Sequence, residues 1–596
     1  MSAPRPSVAG LTAPPLTLHR TWSGGDVVRY GRERAYRRLD VGAGEPHLLR
    51  PDLAPGSGTW TASPGALGGA RSLLCLAHVT DLQLADVQSP ARFEFLNREL
   101  ADPRFADLVP VQRPQEALTT HAVDATLRTL NRIGAAPFSG APVELVVTTG
   151  DAIDNAQWNE LEAFLTLMDG GLVRARSGGH GYEGVQGRHW PDHVFWRPDG
   201  AGPDGEDLFR TLHGFPHMPG IIDRALDDFT AGGLRMPWLA CFGNHEALIQ
   251  GVGVVTPELE TALVGGHKPL RLPDGTDRDR ALEQFVVAAH TFLSGDGRPV
   301  TPDPTRRPIT RREFVEAHFR HGARPDGHGF TEANRRDGTA YYTYDTDAVR
   351  LVALDTTCVA GASDGALDVD QVRWLEDRLR EVHSSYAGPH GDVVRTGNED
   401  RLVVLFSHHG PDTLTNRRGV RVGIDGSDVV GAPDLLRLVH RYPNVVLWLN
   451  GHTHTNGVRP RPHPQRPGAG FWEVTTCAVV DWPCQTRVVE LVDLGEGLLG
   501  LACTMVDHDS PQHLTGSAPG GWAGGLGPDA VAGGSATGGI PLQGTSGSQH
   551  VDLAALHREL AANVPWAGLD SRLAGTPGDR NVVLPVRAPF PLHRVG

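Results

Sequence analysis

Short, nearly continuous apolar runs punctuate the chain: SLLCLAHVT (72–80), VELVVTT (143–149), PWLACF (237–242), VRLVALD (349–355), RLVVLFS (401–407) and NVVLWLN (444–450). Runs of this length without polar alternation predict strands buried on both faces. Between them lie stretches with helical spacing of apolar residues: 116–133, 155–168, 368–382 and 433–442. Strands alternating with helices predict an α/β sheet assembly. After His454 the pattern changes to GFWEVTTC, TRVVELVDL and GLLGLACTMVD, strand-like runs that complete the sheets without long helices.

The remainder divides by composition. Residues 1–70 are rich in Pro, Gly and Arg and read as an irregular N-terminal arm, ahead of a main domain over 71–508. Two polar, His-rich stretches, about 169–236 and 247–338, interrupt the alternation and read as long loop insertions, either functional lids or solvated decoration. Residues 509–549 are a Gly/Ser/Ala-rich linker, and 550–596 carry an amphipathic helix, VDLAALHRELAANVPW, and a tail. The 73 glycines and 46 prolines, about a fifth of 596 residues, agree with a loop-rich architecture. The length allows two to four domains or one large decorated one.

Charge and cysteine usage narrow the function class. A formal net charge of −15 disfavours nucleic acid as the dedicated partner, since such affinity rests on Lys and Arg neutralising phosphates. No run approaches the roughly 18 apolar residues of a membrane span. The six cysteines show no C-x-x-C spacing, which argues against structural zinc, thiol redox chemistry or a disulfide framework. No basic start followed by an apolar stretch is present, so a cytoplasmic location is expected.

Chemistry concentrates where the apolar runs end. In order these sites are Asp81-Leu82-Gln83, Gly150-Asp151-Ala152-Ile153-Asp154-Asn155, Gly243-Asn244-His245-Glu246, Ser407-His408-His409-Gly410 and Gly451-His452-Thr453-His454. Residues just beyond the carboxyl ends of strands converge in one crevice of an α/β sheet. Carboxylates, an amide oxygen and imidazoles together suit Mn, Fe or Zn better than Ca or Mg.

These ordered blocks, D-x-[H/Q], G-D-x-x-D-N, G-N-H-E, H-H and G-H-T-H, resemble the calcineurin-like metallophosphoesterase superfamily over residues 72 to about 505. The resemblance implies a four-layer αββα sandwich of two mixed β-sheets holding two divalent or mixed-valence transition-metal ions, Mn, Fe or Zn. It assigns Asp81, Gln83 and His454 to the first metal, Asp151 to a bridge, and Asn244, His408 and His452 to the second. His245 would act beside the leaving group, oriented by Asp154. The implied reaction is hydrolysis of a small phosphoester, a diester or nucleotide first, by a hydroxide bridging the two ions. A phosphomonoesterase, or a weakly catalytic scaffold relative, is the alternative.

Gln83 departs from the family's usual His: it ligates through oxygen, holds a metal-bound water, or is replaced in that role by Asp86 or His78. His409 competes with His408 as ligand. Asp355 and Glu246 read as either supporting groups or caps, Asn456 as a substrate donor or a turn residue, and His121 as a core histidine. The insertion histidines, His180, His189, His213 and His217 among them, read mostly as solvated.

Overall fold

The computed structural model describes residues 15–54, 70–418, 428–510 and 552–594, so nearly all of the expected linker falls outside the described residues. Every apolar run contains a strand. Arg71–Val79, Leu145–Thr148 and Trp238–Leu239 run parallel in a seven-stranded sheet ordered 48–49, 582–587, 498–507, 485–495, 71–79, 145–148, 238–239. The remaining neighbours in this sheet are antiparallel, apart from the short edge pair Leu48–Leu49 with Val582–Arg587. A second, six-stranded sheet carries Val349–Leu354, Leu402–Ser407, Val445–Asn450 and Gly470–Thr475 in parallel, with antiparallel edges Tyr342–Asp345 and Gly457–Pro462. Both sheets are therefore mixed.

Alternation within the strands decides what each face touches. Leu351, Val404, Phe406, Leu447 and Leu449 share one apolar core with Leu74, Leu76, Val146 and Val489 of the other sheet. Their neighbours Val352, Leu354, Val403, Leu405 and Trp448 point the opposite way and pack on Leu375, Leu379, Leu435 and Val439. Those four lie on helices Val369–Arg380 and Ala432–His440. The first of these starts where Asp368 accepts a hydrogen bond from the Gln371 N–H at 2.7 Å, capping one unpaired amide of the opening turn.

Four stretches differ from the sequence expectation. The supposedly irregular arm contains an antiparallel hairpin, Arg20–Tyr30 with Ala35–Ala43, and adds Leu48–Leu49 to the sheet edge. The tail contributes Val582–Arg587 to the seven-stranded sheet. The insertions are folded and carry cores of their own. Trp196, Phe209, Phe215 and Ile221 pack with Tyr36 of the hairpin and Leu556 and Leu560 of helix Leu553–Asn563. Ile249, Leu259, Phe285 and Phe292 pack with Phe93, Phe95 and Phe105. Each such buried side chain contributes roughly 1.5–3 kcal/mol, which keeps these polar-looking segments ordered. Among the described residues, no helix is long and apolar enough to cross a membrane.

Candidate metal centre

The loops that leave the strands are bound to one another before any ligand is considered. Buried Glu246 accepts from four backbone N–H groups, those of Gly243 at 2.7 Å, Asp151 at 2.9 Å, Ala152 at 2.7 Å and Ile153 at 3.2 Å. It ties the Asp151 loop to the Asn244 loop, and burial raises its pKa to about 7. The glycines of the motifs supply room. A Cβ on Gly243 would lie 2.3 Å from Asp151 Oδ1, and one on Gly451 would lie 2.4 Å from Asp81 Oδ2. Five side-chain-bearing residues here, Asp81, Gln83, Asp151, His452 and His454, have φ between 42° and 67°. That region is costly for residues with a Cβ, and such strain persists where surrounding contacts enforce it, most often at functional sites.

The polar atoms these loops deliver converge. Ligand-type atoms of Asp81, Asp151 and His408 all lie within 4.8 Å of one another, as do those of His408, His409 and His452. His408 Nδ1 faces the Thr149 carbonyl at 2.7 Å, which turns its Nε2 to Asp151 Oδ2, 3.0 Å away. Asn244 spends its amide nitrogen on the Gly251 carbonyl at 3.0 Å. This leaves Asn244 Oδ1 buried without a hydrogen-bond partner, as is Gln83 Oε1. Orphaned buried polar atoms cost about 1–3 kcal/mol each, and two on residues lining one cavity with a buried carboxylate fit a cation that would satisfy them together.

Electrostatics point the same way. Burial opposes protonation of His408, but Asp151 and Asp81 outweigh it and take the imidazole up to about 9. Burial likewise opposes protonation of His454. Asp481 and Asp81 bring that imidazole to about 10, with contacts of 2.7 Å to Nδ1 and 3.5 Å to Nε2. Carboxylates that hold imidazoles charged mark a place where positive charge is stabilised, and the donor set of oxygen and nitrogen fits transition-metal ions.

Other expected residues sort clearly. His409 has both ring nitrogens engaged, with Thr356 Oγ1 at 2.9 Å and the Ser363 carbonyl at 2.8 Å. The Asp154 carboxylate does not orient His245. It accepts from Arg92 Nε at 3.1 Å and Gln250 Nε2 at 3.0 Å, and the Asp154 carbonyl oxygen meets His245 Nδ1 at 2.6 Å. His78 is held between Thr149 and Thr476 hydroxyls, and Asp86 is paired with Arg306 at 3.1 Å, so neither replaces Gln83. Asp355 pairs with Arg311, and Asn456 Oδ1 accepts from the Cys477 N–H and from Arg487. His121 stacks on Phe229 away from the cleft.

Two groups escaped the motif reading. Asp481 bridges His454 to Arg113, whose Nε donates to its other oxygen at 2.8 Å. Its signal was the apolar run 477–480 ending in a carboxylate, the same pattern that marks the other loops. Residues 106–111 form one wall of a cavity of about 220 Å³, and Gln83, Asp151, Asn244, His245, His452 and His454 also line it. Nothing in their spacing betrays that position. His180, His189, His213 and His217 are not among the lining residues.

Neither protein-family models nor curated protein sequences match this chain. Among solved structures, a dimetal phosphatase from Danio rerio matches at 10% identity with a TM-score of 0.31, covering 74% of this chain and 100% of its own. The chemistry of the cleft rests on this chain's own side chains.

Proposed function

We propose that the protein is a metal-dependent phosphoester hydrolase with two transition-metal ions in the cleft. In this reading Asp81, Gln83 and His454 hold one ion, Asn244, His408 and His452 hold the other, and Asp151 serves both. The observation that carries it is the pair of buried, unpartnered amide oxygens, Asn244 Oδ1 and Gln83 Oε1, on residues that line one cavity with Asp151, which His408 Nε2 meets at 3.0 Å. The two apolar clusters, one between the sheets and one beneath helices, support the four-layer αββα arrangement that the motifs imply.

Bound ions of this kind polarise phosphate oxygens and acidify water. The chain's own residues then perform the remaining tasks. With Nδ1 fixed on the Asp154 carbonyl, His245 presents Nε2 to the cavity beside the Gln83 amide at 3.4 Å, placed to pass a proton to the departing ester oxygen. Asp481 fixes the ring of His454 through Nδ1, as an outer carboxylate does for a ligating histidine. Among the described residues that line the cavity, Arg113 is the one arginine or lysine, and it already faces Asp481 and Glu116. That favours the single charge of a phosphodiester over the dianion of a monoester.

The test is chelation followed by reconstitution with Mn, Fe or Zn, assayed on bis(p-nitrophenyl) phosphate and p-nitrophenyl phosphate. Metal-restored turnover with the diester preferred is the expected result. Activity that survives chelation, or no turnover with any of the three ions, defeats the proposal.

A further inference from the structure

We infer that Glu116 is a positioning residue, and that through two arginines it holds His454 on one side of the cleft and His245 on the other. The inference rests on the phosphoester reading above and gives the cleft a support that none of the motifs contains. Glu116 is 3% exposed and opens the short helical turn Glu116–Leu118, just ahead of helix Thr119–Leu130. Its Oε2 accepts from Arg92 Nη1 at 2.8 Å, and its Oε1 lies 3.6 Å from Arg113 Nη1. Each guanidinium turns another nitrogen to a carboxylate of the cleft. Arg113 Nε donates to Asp481 at 2.8 Å, and Asp481 meets His454 Nδ1 at 2.7 Å. Arg92 Nε donates to the Asp154 carboxylate at 3.1 Å, and the carbonyl oxygen of that residue meets His245 Nδ1 at 2.6 Å.

The run Asp481, Arg113, Glu116, Arg92, Asp154 alternates in charge and ends at an imidazole on either side. Taking charges out of water costs about as much as their attraction returns, so such a run is a poor stabiliser. It is a good locator, because a planar guanidinium presents its N–H groups in fixed directions and each arginine here faces two carboxylates at once. Glu94 does not duplicate the bridge: it lies 4.0 Å from Arg92 and is taken by Lys268 Nζ at 2.8 and 2.9 Å. Gln115 ties the same segment to the Asp481 loop, donating from Nε2 to the Val480 carbonyl at 3.1 Å. Glu116 is not among the described residues that line the cavity, so its effect on the chemistry passes through the arginines.

Glu116→Gln keeps the shape of the side chain and removes its charge. The Mn affinity of the full chain, measured by competition with a chromophoric chelator, reads the His454 side. The His245 side is read from kcat at saturating Mn on methyl p-nitrophenyl phosphate and methyl phenyl phosphate, since phenolate is the more basic leaving group and needs the proton more. The variant is expected to bind Mn about tenfold more weakly and to lose about tenfold more rate on the phenyl ester than on the p-nitrophenyl ester. Arg113→Lys is expected to show the first change alone, and Arg92→Lys the second alone. These two variants decide the matter where Glu116→Gln folds poorly. Unchanged Mn affinity, or equal losses on both esters as a general loosening would give, overturns the inference and leaves the hydrolase reading intact. So do lysine variants that each disturb both readouts or neither. A wild-type chain that cleaves neither ester removes the hydrolase reading, and the inference falls with it.

Discussion

Gln83 carries two costs: a φ of 42°, and a buried Oε1 that accepts no hydrogen bond from the protein. The first costs about 1–3 kcal/mol in a residue with a Cβ, and the second adds a desolvation penalty. Glycine would relieve both while losing about 0.5–1 kcal/mol through its freer unfolded chain. Gln83→Gly is therefore expected to raise metal-free stability by about 1 kcal/mol in urea unfolding, while weakening metal binding in a competition titration at least tenfold. Loss of stability, or unchanged metal affinity, would contradict this account. The same scale shows what residue spacing conveys. The motif blocks place Asp151, His408 and Asn244 together because the backbone carries them there. Spacing cannot say which atom of Asp154 faces His245: the carbonyl takes the role given to the carboxylate, which accepts from Arg92 and Gln250.

Helix Leu553–Asn563 packs on the N-terminal hairpin, and among its polar contacts there Tyr36 Oη donates to buried Glu559 Oε1 at 3.0 Å while Asn563 bonds the Arg37 backbone. Burial raises the Glu559 pKa to about 7, with the Tyr36 hydroxyl and the charges of Arg38 and Arg558 working against the rise. Its folded value lies above its unfolded one, so the folded state binds the proton more tightly. The resulting stability is complete below about pH 4.5 and is lost as pH rises through 7. Glu559→Gln keeps an acceptor for Tyr36 and removes the charge. Thermal unfolding at pH 8 is expected to show the variant more stable by on the order of 1–3 kcal/mol, with no difference near pH 4.5. The elements joined by this contact were also the least legible ones. Of the eleven residues in Arg20–Tyr30 only Trp22 is buried, so the strand lacks the apolar alternation that marks a half-buried strand. Val582–Arg587 is apolar enough to be seen, but Pro585 within it argues against a central strand, and the structure uses it at the sheet's margin beside the two-residue strand Leu48–Leu49.

At the level of the whole molecule, the apolar runs revealed both sheets because strands buried on two faces leave a continuous signal. The insertions stayed opaque because their clusters assemble from scattered aromatics such as Phe93, Phe209 and Phe285, none in a periodic frame. The ligand-type residues divide between the two sheets. Asp81, Asp151 and Asn244 follow strands of the seven-stranded sheet, and His408 and His452 follow strands of the six-stranded one. Ions bound as proposed would cross-link the sheets at one end of their shared core, and binding to the folded state alone stabilises by about 2.7 kcal/mol at a free ion concentration a hundredfold above Kd. Adding Mn to chelated protein is thus expected to raise the unfolding temperature by a few degrees and to slow amide hydrogen exchange at 81–84 and 150–154 together with 408–410 and 451–454. Both changes should reverse with chelator. Protection confined to the loops of one sheet would show that the ion does not span the pair, and the assignment of His408 and His452 would fall while that of Asp81 and Asp151 stood.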